Sequence, residues 1–350
     1  MERRQFIGAT AAVLASAVMP RSAAAGNSPA MPIDLNWRSE VIKTIPNNPS
    51  DRQPVVTDVS MKRDGKEMAI VGDDHHIGIF DMASQSFTHH IDAHRDWVRS
   101  AVYAPQGNQL ASAGNDRALK VWASGNYKAP LFTRNHDDAI IKLAYSPDGT
   151  KLATVGFEKT MRIYDAQTGR VTQQMDCACP DNHAVAFSVD GDMIAAAGRC
   201  GTVCVWEANT GKVVSRAKVH RQRVRSLQFT SGGQIVSTSD DRMVKIIDPK
   251  TGVVDNALPR QASKLFAAQL MGDDMLATGG SDNKIRIWKL DSLQEVGVLH
   301  GHTGTISCLE AGDGILISGS FDTQVRVWQV SGVSTEPFER RADQKWRALK

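Results

Sequence analysis

The chain has 350 residues, with 41 Lys plus Arg against 38 Asp plus Glu, a formal net charge of +3. So even a balance gives no general electrostatic basis for gripping nucleic acid or an anionic membrane surface. Hydrophobic residues at 41% and charged residues at 23% are ordinary for a soluble globular chain, and five cysteines are too few for a disulfide scaffold.

The first element in the chain is an address segment. Arg3 and Arg4 make a basic start, and Phe6 to Met19 is a mildly apolar run, shorter than the ~20 residues a helix needs to cross hydrocarbon. Ala23 and Ala25 give a small-residue cleavage pattern before Gly26. The string Arg3-Arg4-Gln5-Phe6-Ile7 resembles a twin-arginine export signal, although Glu2 stands where Ser or Thr is usual and Gly8 where Lys is common. A general secretion signal carrying two arginines is the alternative. Either way the expectation is export to an oxidising periplasm, where disulfides are permitted. Cleavage after Ala25 removes Arg3, Arg4, Arg21 and Glu2 and leaves a net charge of +1. No later apolar run reaches membrane length, so no membrane span is expected. The expected organisation is a signal peptide 1–25, a linker 26–36, a repeat body 37–330 and a charged tail 331–350.

The body repeats one unit: a short strand, a turn such as Ser146-Pro147-Asp148-Gly149, a strand of small residues, an acidic turn, then a strand ending in an aromatic. The aromatic falls at Phe80, Trp122, Tyr164, Trp206, Trp288 and Trp328, with Ile247 in its place in the fifth copy; the spacings are 42, 42, 42, 41, 41 and 40 residues. Leu119-Lys120-Val121-Trp122 and Ile285-Arg286-Ile287-Trp288 alternate with strand periodicity. Seven copies in register resemble the WD-repeat (Trp-Asp repeat) family of β-propellers over residues 37–330. The resemblance implies an all-β, seven-bladed propeller of four-stranded antiparallel blades around a central channel. It also implies that the segment Trp37–Ile45 supplies the outer strand of the last blade, joining the two ends of the chain. Val333–Phe338 is the competing choice.

The family places a hydrogen-bonded set in each blade: His before the inner strand, Ser or Thr in the second strand, Asp at the next turn, Trp in the third. Copy two is complete with His94, Ser112, Asp116 and Trp122, and copy seven with His302, Ser318, Asp322 and Trp328. Copy three reads His136, Thr154, Glu158 and Tyr164; copy five keeps His220, Ser237 and Asp241; copy six has Thr278, Asp282 and Trp288, with Arg260 at the His position. Copies one and four are degenerate, copy one keeping Asp74. Ser, His and Asp together invite a hydrolase reading, but a set repeated round a ring, with no strand-to-helix nucleophile elbow, is better read as structural.

Copy four has Cys200 at the Asp position and Cys177-Ala178-Cys179 at the His position. The resemblance implies a disulfide from Cys179 or Cys177 to Cys200, with Cys204 next to the remaining thiol and Cys308 a buried free thiol. A thiolate metal or redox site with His183 is the alternative. His75, His76, His89 and His90 in copy one read as solvated turn and edge residues.

Binding in this family implies the narrow channel-mouth face. The positions carried over are Trp97, Arg99 and Asn115; Ala139, Ile141 and Phe157; His183 and Arg199; Arg223, Arg225 and Asp240; Leu265 and Ser281; Thr305, Ser307 and Phe321. Of these, Trp97, Arg99, Phe157, Arg199, Arg223, Arg225 and Phe321 are the candidate partner contacts, and they suit a protein or peptide with an acidic surface. No phosphate loop, repeated metal-carboxylate pattern or haem motif marks a cofactor or a small-molecule substrate. The expected function is a non-enzymatic protein-interaction scaffold of the bacterial envelope, one that supports assembly or docking of an exported redox enzyme. The alternatives are a thiol-dependent metal or redox accessory protein and a channel-centred enzyme or cofactor carrier.

Overall fold

The computed structural model describes residues 36–44, 52–312 and 314–331. The expected signal peptide, the linker before residue 36 and the tail beyond residue 331, with Val333–Phe338, lie outside the described residues. Twenty-eight strands, β1 to β28 in chain order, make seven four-stranded antiparallel sheets, with no helix among the described residues. These are the seven blades, each led by an inner strand: β2 (Val56–Met61), β6 (Val98–Tyr103), β10 (Ile140–Tyr145), β14 (Asn182–Phe187), β18 (Val224–Phe229), β22 (Leu265–Met271) and β26 (Ile306–Gly312).

Second strands such as β7 (Gln109–Gly114) and β15 (Met193–Gly198) are buried along almost their whole length. Their small residues follow from this, because a blade is covered on both faces by its neighbours. Seven apolar clusters result, each drawing on two successive blades and together closing the ring. A lone blade would leave both faces wet, so the blades stabilise one another.

The ends of the chain meet as expected. Strand β1 (Asn36–Lys43) pairs antiparallel with β28 (Gln324–Ser331) over eight residue pairs, from Asn36 opposite Ser331 to Lys43 opposite Gln324. Beyond it the Thr44 hydroxyl lies 2.9 Å from the Thr323 carbonyl and 3.0 Å from the Pro54 carbonyl, its one proton shared between them, tying blade seven to the entry of blade one.

Every inner strand carries a bulge after its first residue. In β6, Val98 faces Gly114 but Ser100 faces Ala113, so Arg99 has no partner. The same break isolates Thr57, Ile141, His183, Arg225, Phe266 and Ser307. A bulge turns its extra side chain away from the sheet faces. All seven extra side chains line the central cavity.

Blade six corrects the sequence reading at two positions. The Gln261 amide donates to the Arg242 carbonyl, as the amides of His94, His136 and His220 do to their own preceding turns. Gln261, 5% exposed, therefore holds the place expected for Arg260, which is exposed. Leu265 is buried in the seam between blades five and six, and Phe266 takes the mouth position expected for it. Both are the same slip of one residue. It arises because blade six has no imidazole to set the frame and follows a strand, β21 (Val254–Ala257), of only four residues.

Candidate interaction face at the channel mouth

The polar sets come together as support for the blades. His94 Nδ1 lies 2.9 Å from Asp116 Oδ1 and its Nε2 lies 2.8 Å from Ser112 Oγ, which also accepts from Trp122 Nε1 at 3.1 Å. Blade seven repeats this with His302, Asp322, Ser318 and Trp328. Blade five keeps His220, Asp241 and Ser237 without the indole. In blade six Trp288 Nε1 donates to Thr278 Oγ1 at 2.9 Å, and Asp282 turns instead to Arg286. Blade three is rewired. The Tyr164 hydroxyl lies 2.7 Å from His136 Nε2, His136 sits 3.3 Å from Glu158, and Thr154 is left bonding the Arg162 carbonyl.

Each turn Asp has a second task. Asp116 Oδ1 accepts from the amide of Ala118, bracing Arg117 at φ 68°; Asp241 and Asp322 do the same for Arg242 and Thr323. Local bonding of this kind makes the left-handed backbone tolerable for a residue with a Cβ. Burial raises the carboxyl pKa of Asp116, but the His94 bond and the amides of Arg95 and Ala118 outweigh it and hold the value at about 2.

Blade four replaces the set with sulfur. Cys179 and Cys200 form a disulfide, while Cys177 and Cys204 are free and buried in the apolar seam between blades three and four. The candidate bridge positions at Cys177 and Cys204 are thus corrected. Both side chains point into the packing between blades rather than to the loops that the bridge joins. Burial pushes the Cys177 thiol up to about 12. Cys308 is likewise free and buried. Among the described residues no three His, Cys, Asp or Glu side chains are grouped to hold a metal ion.

The central cavity has a volume of about 540 Å³. At its mouth stand Arg99, His183, Arg225 and Phe266, with Phe157 and Phe321 exposed at 43% and 46% on the adjoining turns. Trp97 does not line the cavity; its indole lies under the Arg99 guanidinium, 4.7 Å from ring centre to Cζ. Arg225 stacks at the same distance on Phe266 and makes a two-pronged contact with Asp240, Nε to Oδ1 at 2.8 Å and Nη2 to Oδ2 at 3.0 Å. Arg223 donates to Asp181 at 2.7 Å, and Asp181 also meets His183 at 2.6 Å. Burial, together with Arg225 and Arg223, lowers the His183 pKa to about 4 against the pull of Asp181, so the ring is neutral at physiological pH. Arg199 is exposed and does not line the cavity. Of the arginines expected to face a partner, two are thus already neutralised from within.

Deeper in the channel Lys142 reaches across from blade three to Asp58 in blade one, at 2.8 and 3.0 Å, and Ser100 of blade two donates to the same carboxylate at 2.9 Å. Burial, with Asp58 adding to it and Lys142 opposing, pushes Glu310 up to about 8. Lys142, Asp58, Glu310 and Phe266 were not singled out in the sequence. Phe266 is recoverable by aligning all copies on the bulge. The Lys142–Asp58 pair joins residues 84 apart and leaves no local signal.

Comparison with known proteins matches residues 85–123, 128–165 and 293–329 to the family model described as WD domain, G-beta repeat. Residues 157–295 match the model described as outer membrane protein assembly factor BamB. WD repeat-containing protein pop1 of Schizosaccharomyces pombe (strain 972 / ATCC 24843) is 36% identical over 87 residues, which is 25% of this chain and 11% of that protein. These matches support a WD-repeat propeller.

Proposed function

We propose that this propeller of WD-type repeats is a non-enzymatic interaction scaffold, exported to the periplasm by a twin-arginine-like signal, that docks a partner polypeptide on its channel mouth. The observation that carries the reading is the rim itself. Phe157 and Phe321 are exposed on the cavity lining that also carries Arg99, stacked on Trp97, and Arg225, stacked on Phe266. Aromatic and arginine side chains are the residue types that dominate protein interfaces. The description of the model matching residues 157–295, outer membrane protein assembly factor BamB, supports a task in assembling or positioning envelope proteins; an exported redox enzyme is the partner class this reading carries. The Cys179–Cys200 disulfide fits an oxidising compartment.

The test is capture of partners from a native envelope fraction by wild-type protein and by Trp97→Ala/Phe321→Ala, each first shown to melt normally. Loss of one abundant partner from the variant is the expected result. Identical partner lists would remove the mouth as the docking face.

A further inference from the structure

Arg99 and Arg225 occupy the same bulge position in blades two and five. Each guanidinium stacks on an aromatic ring at 4.7 Å. Each also donates through Nε to the residue that precedes the turn Asp. In blade five that residue is Asp240, whose two oxygens take Nε and Nη2 of Arg225. In blade two it is Asn115, whose amide oxygen takes Nε alone, at 2.7 Å. A neutral amide therefore stands where the sister blade carries a carboxylate. Arg99 has no ion pair with a described carboxylate, although it lines the cavity. Its pair of Nη groups is left open, held in plane by the indole below and Asn115 beside it. Such a pre-organised planar fork matches the two oxygens of a carboxylate.

Resting on the docking reading above, we propose that Arg99, with Trp97 and Asn115, is a receptor for a single carboxylate side chain, Glu or Asp, presented next to an apolar residue on the partner polypeptide. The blade-five pair shows within this molecule what an arginine at this position does when a carboxylate is supplied. The apolar neighbour is called for by Phe157 of blade three, whose ring packs edge-on against His183 of blade four, and by Phe321 of blade seven, both exposed on turns that line the same cavity as Arg99. A side chain within the polypeptide leaves the chain free to continue across the mouth on both sides, whereas a terminal carboxylate ends it at Arg99. The partner needs one well-placed acid rather than an acidic patch, because Arg223 and Arg225 are neutralised by Asp181 and Asp240. Burial lowers the Arg99 pKa, opposed by the charge of Asp96, which is not within ion-pairing distance. The guanidinium is thus poorly hydrated and rewards an incoming anion more than a surface arginine does.

Trp97 reports on the site. The full chain is titrated with the acetylated, amidated tetrapeptide Gly-Phe-Glu-Gly, and tryptophan emission is followed. The same peptide with Gln for Glu, an acetylated Gly-Gly-Phe with a free C-terminus, and inorganic phosphate complete the set. The expected result is a saturable change with the Glu peptide, at least tenfold weaker with the Gln peptide and with phosphate. Asn115→Asp, which converts blade two to the blade-five arrangement, is expected to weaken the Glu peptide at least tenfold while leaving the melting temperature unchanged. If that variant fails to fold, Arg99→Gln replaces it. Equal binding of Glu and Gln peptides, tighter binding of phosphate or of the free C-terminus, or indifference to both variants would overturn the proposal. Partner capture separates the two readings. Capture that depends on Phe321 but not on Asn115→Asp leaves the docking face standing and removes the receptor.

Discussion

Cys179 and Cys200 are joined through sulfur at the place where His94 meets Asp116 in blade two, His220 meets Asp241 in blade five and His302 meets Asp322 in blade seven. A covalent tie has taken over from a hydrogen-bonded one. The exchange has a consequence next door. Cys200 has no carboxylate to brace the left-handed residue that follows, and that residue is Gly201, at φ 72°. A side chain there would also drive its Cβ to 2.2 Å from the His220 carbonyl oxygen. The bridge spans 21 residues, so in the chain-entropy model its reduction costs about 3 kcal/mol. Guanidinium unfolding with and without a strong reductant measures this. Thiol titration of the denatured, unreduced protein should count three thiols, Cys177, Cys204 and Cys308, and five after reduction. An unchanged midpoint would show that the loops hold without the bridge.

Blades two and three offer a matched pair of substitutions. Ser112 Oγ serves both His94 Nε2 and Trp122 Nε1, and all three groups are buried. Ser112→Ala leaves two buried ring nitrogens unpaired and is expected to cost about 2–6 kcal/mol, at roughly 1–3 kcal/mol for each stranded group. Thr154 stands at the same register but bonds only the Arg162 carbonyl at 3.5 Å, since Tyr164 reaches His136 unaided. Thr154→Ala should therefore cost less than half as much. Midpoints of urea unfolding, read at constant slope, decide it.

Acid should unfold the ring in two stages. Burial, with Arg162 adding, lowers the His136 pKa from 6.5 to about 4 against the pull of Glu158. His183 is lowered to about 4 by burial and its arginine neighbours. The unfolded chain binds these protons near pH 6.5, so stability is full above that value and falls as pH drops towards 4. Asp116 carries the second stage. Its carboxyl stays ionised down to about 2 in the fold and protonates near 3.8 in the unfolded chain, so its contribution is present above pH 3.8 and lost towards pH 2. A series of melting temperatures from pH 7.5 to 2.5 should show both declines. His136→Gln should make the first decline shallower, leaving the share of His183, and should not alter the second.

What the sequence disclosed was whatever repeats locally. Seven copies and their short strands follow from alignment on the aromatic anchors, since alternation and turn chemistry act over a few residues; the four-strand order and the His–Ser–Asp–Trp sets followed from the family those copies resemble. The frame of the inner strand is set by the residues just before it, not by the aromatic at the end of the third strand. With Gln261 in place of His, blade six slipped by one residue, and one residue in a strand turns Leu265 from mouth to seam and hides Phe266. Arg225 and Asp240 were both recognised as rim positions, but their pairing was not, because a bulge must first carry the arginine out of the sheet. That missed pairing is what made the rim read as four free arginines. Lys142 and Asp58 meet only because the ring brings blades one and three within reach across the channel.

The latch between the chain ends gives the last expectation. Strand β1 caps the outer edge of β28 over eight pairs, and Thr44 bonds the carbonyls of Thr323 and Pro54 on the two blades it joins. Deleting residues 36–44 leaves the β28 edge open and removes the hydroxyl and amide contacts of Thr44. The seam between blades seven and one loses Ile42 but keeps the buried cluster of Val56, Val59, Ile317 and Val325, so collapse is not the expected outcome. Instead the melting temperature should fall by several degrees, and the unpaired edge should promote association between chains. Differential scanning calorimetry with light scattering at increasing protein concentration reads both effects. A truncated chain that melts as the full chain does, and stays monomeric, would mean that the seam cluster alone closes the ring and that the latch contributes nothing measurable.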